Sequence, residues 1–101
     1  MSEPLVLALV GDAATGAALA LGFEEEGVPL TVALAHGPTD VLARRAAAGA
    51  VLGIGVGGSE RLAVVLAGAS GRPYLEASAA AARSLGRDAA RIAARRPLNL
   101  G

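Results

Sequence analysis

Apolar residues fall in short runs closed by glycine, proline or charge, and the gaps between runs decide how the runs can pair. "PLVLALVG" (Pro4–Gly11) is a continuous apolar run ending in glycine, the pattern of a central strand covered on both faces. Asp12 is placed to cap a helix running through "AATGAALALGFEEE" and ending at Gly27, with Pro29 barring continuation. "PLTVALA" (Pro29–Ala35) reads as a second strand. After the loop "HGPT", Asp40 is expected to cap a second helix, "VLARRAAA", which stops at Gly49. Strand, helix, strand, helix predicts a parallel sheet with right-handed crossovers.

The alternation then breaks. "AVLGIGV" (Ala50–Val56) and "RLAVVLAG" (Arg61–Gly68) are strand-like and separated only by "GGSE". So short a connection cannot make a parallel crossover, so these runs must pair as an antiparallel hairpin. "RPYLEA" (Arg72–Ala77) is a fifth strand, and Ser78 is expected to cap a last helix reaching about Arg96, before Pro97. The predicted fold is a single α/β domain over residues 1–101: three helices on a mixed five-stranded sheet in which the fourth strand alone is antiparallel.

Composition narrows what such a domain does. Hydrophobic residues make up 53% of the 101, but the prevalence of alanine leaves only a modest core of Leu, Val and Ile. Nine arginines balance nine acids and there is no lysine, so the basic excess of a nucleic-acid or anionic-membrane binder is missing. Two aromatic residues, Phe23 and Tyr74, cannot build a base-stacking platform. The absence of cysteine excludes a disulfide scaffold and a thiolate nucleophile or metal site. Apolar runs are broken well before the roughly 20 residues of a membrane span, and the N-terminus lacks the basic character of a secretory signal. The expected setting is cytoplasmic, with neither membrane nor nucleic acid as partner.

Two segments and two single residues invite a catalytic or nucleotide-binding reading and fail on context. "GIGVGGSE" (Gly53–Glu60) has dinucleotide-type glycines, but they lie in a strand and its hairpin turn instead of feeding a helix N-terminus. Their expected use is close packing of a helix over Gly53 and Gly55. "GDAATG" (Gly11–Gly16) has P-loop glycine spacing with Ala17 and Ala18 where lysine and a hydroxyl are required. The lone histidine, His36, and the turn residue Ser59 have no partner that sequence can name, so both read as surface.

Two charged features remain. "GFEEEGVP" (Gly22–Pro29) crowds Glu24, Glu25 and Glu26 at a helix C-terminus, where an acid costs about 0.3–1 kcal/mol when exposed. Arg83, Arg87, Arg91 and Arg95 recur every four residues on the last helix, so each is rotated about 40° from the one before and the four form a slanting basic stripe. The stripe suits either a solvated face, with Asp88 pairing locally, or contact with an acidic partner.

"GFEEEGVPL" after an alanine-rich helix, "GIG" at Gly53–Gly55 and "RSLGRDAARIAARRPL" (Arg83–Leu98) together resemble one family. It is the small subunit of the reactivating factors for adenosylcobalamin-dependent diol and glycerol dehydratases, itself related to the medium subunit of those enzymes. The resemblance covers Leu5 to Leu98. It implies a three-layer α/β/α fold like the anticodon-binding domain of class II aminoacyl-tRNA synthetases, with strand order 2-1-3-4-5. It further implies a non-catalytic, chaperone-like role. A large ATPase subunit holds or releases the small one, the vacated surface accepts the dehydratase's medium subunit, and damaged cobalamin escapes by this subunit exchange. The setting implied is cytoplasmic, in association with a bacterial microcompartment.

The resemblance also assigns the acids. Glu25 matches a glutamate that helps ligate a divalent cation, Mg²⁺ here, shared with carboxylates of the large subunit; Glu24, Glu25, Glu26, Arg83, Arg87 and Arg91 would then face the partner. On this reading Glu25 is exposed in the isolated chain, and Glu25→Gln leaves its folding intact or slightly improved. The short loop after the second strand and the end at Gly101 depart from the family pattern. Two other readings stand beside it: a medium-subunit-type part of the dehydratase, against which the short N-terminus is expected to count, and a free-standing small-molecule-binding domain with its ligand over Gly11 and His36.

Overall fold

The computed structural model describes residues 3–68 and 73–95. The elements are β1 (Val6–Val10), α1 (Ala13–Glu25), β2 (Thr31–Leu34), α2 (Thr39–Ala48), β3 (Ile54–Gly58), β4 (Arg61–Leu66), β5 (Leu75–Ser78) and α3 (Ala82–Arg95), with one 3₁₀ turn at Ala79–Ala81 before α3. The sheet order is β2-β1-β3-β4-β5. β1 pairs parallel with β2 and β3, whereas β4 pairs antiparallel with β3 and with β5. The mixed α/β fold expected from the spacing of the apolar runs is therefore the observed one.

Several boundaries differ, for local reasons. β3 begins at Ile54 instead of Ala50, because residues 50–53 form turns that carry the chain back from α2; Gly53 closes them at φ +69. β3 then runs on to Gly58, leaving Ser59 and Glu60 as the hairpin turn. Asp40 does not cap α2. Pro38 holds that position with no side-chain cap, and Asp40 sits inside the first turn, where it favours the helix dipole and pairs with Arg44 at 3.2 Å. Ser78 likewise occupies a cap position without a capping hydrogen bond, and precedes the 3₁₀ turn instead of α3 itself. Arg72 and Arg96, proposed ends of the fifth strand and last helix, lie outside the described residues. Asp12 does cap α1: its carboxylate accepts from Thr15 N at 2.8 Å and from Thr15 Oγ1 at 3.0 Å. The backbone bond from Thr15, more than its hydroxyl, holds the Asp12 carboxyl below the usual carboxylate range.

The layers are unequal. α1 and α3 cover one face of the sheet, where Val6, Val10, Ile54, Val56, Leu62 and Val64 meet Leu19 and Phe23 of α1 and Leu85 of α3. Burial of the Phe23 ring contributes about 1.5–3 kcal/mol. Among the described residues α2 alone covers the other face, over Ala63 and Val65. It does so by backbone contact: a Cβ on Gly55 would lie 2.5 Å from the carbonyl carbon of Ala46, and one on Gly57 2.5 Å from that of Leu42. Close helix packing thus falls on Gly55 and Gly57, with Gly53 serving the turn. Because α2 reaches only part of its face, β1 is fully buried on one side and half-buried at Leu7 and Leu9 on the other.

Candidate partner interface along the first and third helices

α1 and α3 cross at a pair of glycines. A Cβ on Gly22 would meet Arg87 N at 2.7 Å and the backbone of Gly86 at 3.0 Å, and one on Gly86 would meet Leu19 O at 2.5 Å. With no side chains between them the backbones come into contact, and the acids at the end of α1 are brought onto the basic stripe of α3.

The result is a ladder of ion pairs. Glu25 accepts a hydrogen bond from Arg83 Nε through Oε1, and its Oε2 lies 3.8 Å from Arg87 Nη1. Glu26, the C-cap of α1, lies 3.3 Å from Arg91 Nε, and Arg91 also lies 3.9 Å from Asp88. The glutamate side chains retain 28% and 26% exposure, against 60% for Arg83, so the carboxylates sit under the guanidinium groups. Three arginines of α3 therefore supply the positive charge that the C-terminus of α1 needs, across the crossing instead of along the helix. Glu25 and Glu26 are misplaced only when α1 is considered alone.

The structure thus brings together five of the six residues assigned to an interface: Glu25, Glu26, Arg83, Arg87 and Arg91. Glu24 points elsewhere. It is exposed, no cation among the described residues pairs with it, and it borders an open pocket of about 340 Å³ with Ala20, Val28, Pro29 and Leu30. Arg95 closes α3 and enters no ion pair within the described residues.

Against a divalent cation, the donor set fits as one ligand and no more. No three His, Cys, Asp or Glu side chains converge among the described residues. Glu25 Oε1 is held by Arg83, while Oε2 is beyond hydrogen-bond reach of Arg87 and keeps its lone pairs. A carboxylate steadied on one oxygen and open on the other is the usual state of a metal-ligating carboxylate.

Of the two places that a small-molecule reading would use, Gly11 is covered. Gly11 N donates to Gly58 O at 3.1 Å, and Ser59 packs over Gly11. His36 is exposed and makes no hydrogen bond to a described residue. The pairing of Glu25 and Glu26 with α3 was not readable from sequence. The signal for it was the coincidence of two glycines, at positions 22 and 86, beside the only acidic triplet and the only arginine stripe.

The sequence profile of the dehydratase medium subunit family matches residues 4–99. The chain belongs to that family. Within its fold the chain is similar to two solved structures. One is a structure of diol dehydratase-reactivating factor complexed with ADP and Mg²⁺, with TM-score 0.81 and 25% identity over 97% of this chain and 99% of that one. The other is a glycerol dehydratase reactivase, with TM-score 0.82 and 26% identity over 95% of this chain and 96% of that one. No protein of curated function matches this dehydratase medium subunit family member in sequence.

Proposed function

We propose that this chain is the small subunit of a chaperone-like reactivating factor for an adenosylcobalamin-dependent diol or glycerol dehydratase, and that it performs no chemistry itself. The observation that carries the reading is the full-length likeness to chains of two reactivases, at a TM-score above 0.8 in both. A medium-subunit-type fold in a reactivase gives subunit exchange a physical basis. A protein shaped like the enzyme's own subunit occupies a surface on a large ATPase subunit, and its release lets the enzyme's subunit take that surface. The dehydratase is loosened meanwhile, and damaged cobalamin leaves.

The contact with the large subunit is assigned to the α1–α3 seam. Glu25 Oε2, 3.8 Å from Arg87, is left without a hydrogen bond, Arg83 fixes the carboxylate, and Glu26 with Arg91 extends the charged strip. A divalent cation bound there with partner carboxylates would neutralise acids drawn from both chains. Glu25 is the one residue of this chain that would hold it.

A second reading, a component of the dehydratase itself, is favoured by the family match alone. One experiment separates them. The purified chain is mixed with the large reactivase subunit and, separately, with dehydratase lacking its medium subunit. Association with the large subunit, and recovery of dehydratase holding damaged cobalamin when ATP, Mg²⁺ and fresh coenzyme are added, is the expected result. Restoration of turnover to the incomplete dehydratase, with no binding to the large subunit, overturns the proposal.

A further inference from the structure

The seam holds the Glu25 carboxylate unevenly, and the backbone sets the unevenness. Gly22 lets α1 rest on the backbone of α3 between Arg83 and Arg87: a Cβ there would meet Arg87 N at 2.7 Å and the carbonyl oxygen of Arg83 as well. Glu25 follows Gly22 by three residues, about one turn, so its carboxylate is carried to the same two arginines. The two act on it differently. Arg83 donates from Nε to Oε1. Arg87 Nη1 stays 3.8 Å from Oε2, and its Nη2 donates instead to Ser84 Oγ, on its own helix, at 3.3 Å. One oxygen of Glu25 is therefore occupied by a charged donor, and the other has a charge nearby but no hydrogen bond.

That difference bears on how the carboxylate can ligate. A guanidinium held against Oε1 repels any cation brought to that oxygen, so ligation falls to Oε2 alone. Divalent cations do not tolerate this equally. Ca²⁺ takes about six to eight oxygens in a flexible shell and readily uses both oxygens of one carboxylate. Mg²⁺ demands near-octahedral geometry, which the narrow bite of a two-oxygen carboxylate distorts, and it keeps several waters.

On the assignment of the seam to the large-subunit contact, we propose that Arg83 is a positioning residue: it restricts Glu25 to one-oxygen ligation and so makes the shared cation Mg²⁺ in preference to Ca²⁺. Arg87 brings an equal charge to the same carboxylate without a hydrogen bond. It repels either ion alike and takes no part in the choice.

The test uses the full chain and the large reactivase subunit, both freed of divalent cations and mixed without nucleotide. Calorimetry gives the Kd of the complex over a series of Mg²⁺ and, separately, Ca²⁺ concentrations, for wild type, Arg83→Gln and Arg87→Gln. The quantity read is the ratio of the two cation concentrations that half-tighten the complex. Because the ratio is taken within each variant, a lost direct contact or a lower stability cancels from it. A cation bound elsewhere on the large subunit enters all three alike. Wild type is expected to respond at lower Mg²⁺ than Ca²⁺. Arg83→Gln is expected to lose that preference by about tenfold or more, the usual scale for removing the partner of a metal-ligating side chain, and Arg87→Gln to keep it. Cation-dependent binding with a wild-type preference for Ca²⁺, an unchanged ratio in Arg83→Gln, or an equal change in Arg87→Gln overturns the role of Arg83 and leaves the seam as the contact. Failure of the wild-type chain to bind, or binding that a chelator does not weaken, overturns the shared cation and the role of Arg83 together.

Discussion

Glu25 carries two opposing electrostatic effects whose balance can be measured. Its charge opposes the α1 dipole by about 0.3–1 kcal/mol, which alone would make Glu25→Gln neutral or stabilising in the isolated chain. Its pairs with Arg83 and Arg87 act the other way, and partly exposed pairs of this kind are worth about 0–1 kcal/mol. Glu24 has the first effect without the second, since no cation pairs with it among the described residues. Glu24→Gln is therefore expected to leave stability unchanged or slightly raised, and Glu25→Gln to fall below it by up to about 1 kcal/mol. Raising the salt concentration should close the gap, because screening acts on the pairs. Urea unfolding of both variants at low and high salt checks this; a Glu25→Gln variant more stable than Glu24→Gln at low salt would return Glu25 to the status of a merely misplaced acid.

The crossing of α1 and α3 is what makes those pairs possible. Replacing glycine by alanine inside a helix ordinarily stabilises by about 0.5–1 kcal/mol, because alanine loses less entropy on folding. At Gly22 the sign should reverse. The new Cβ would meet the backbone of α3, not a side chain that can rotate away, and overpacking of this kind costs about 1–3 kcal/mol. Gly22→Ala is expected to destabilise, and also to abolish the energetic coupling between Glu25 and Arg83 in a double-mutant cycle. A stabilised variant that retains the coupling would show that the helices tolerate separation. The same crossing marks the limit of what the sequence could reveal. Element order, the β3–β4 hairpin and the antiparallel β4 were legible because they depend on local quantities: run length, glycine and proline punctuation, and a connection too short for a crossover. The cap of α2 was misread because Pro38, one residue before the helix, displaced Asp40 from the role its residue type suggested. The Glu25–Arg83 contact joins residues 58 apart, and no periodicity within either helix encodes it.

Assembly bears on the stability of the fold as a whole. Among the described residues α2 is the only cover on its face of the sheet, the helices pack largely through alanine and glycine, and β2 and the outer flank of α1 leave Leu34 and Leu21 exposed. A domain built this way has little surplus of buried area, so binding a partner should show directly in its melting. With the large subunit free at about a hundred times Kd, mass action adds about 2.7 kcal/mol to the stability of the bound chain. For a domain of this size that corresponds to a rise in Tm of roughly 10–20 °C. Nucleotides or cobalamin alone should produce no such rise, since the strand ends near Gly11 are closed by Gly58 and Ser59. Differential scanning calorimetry of the chain with each addition decides the matter. If the large subunit leaves Tm unchanged while a small molecule raises it, the chain is a ligand-binding domain and the partner reading of the seam fails.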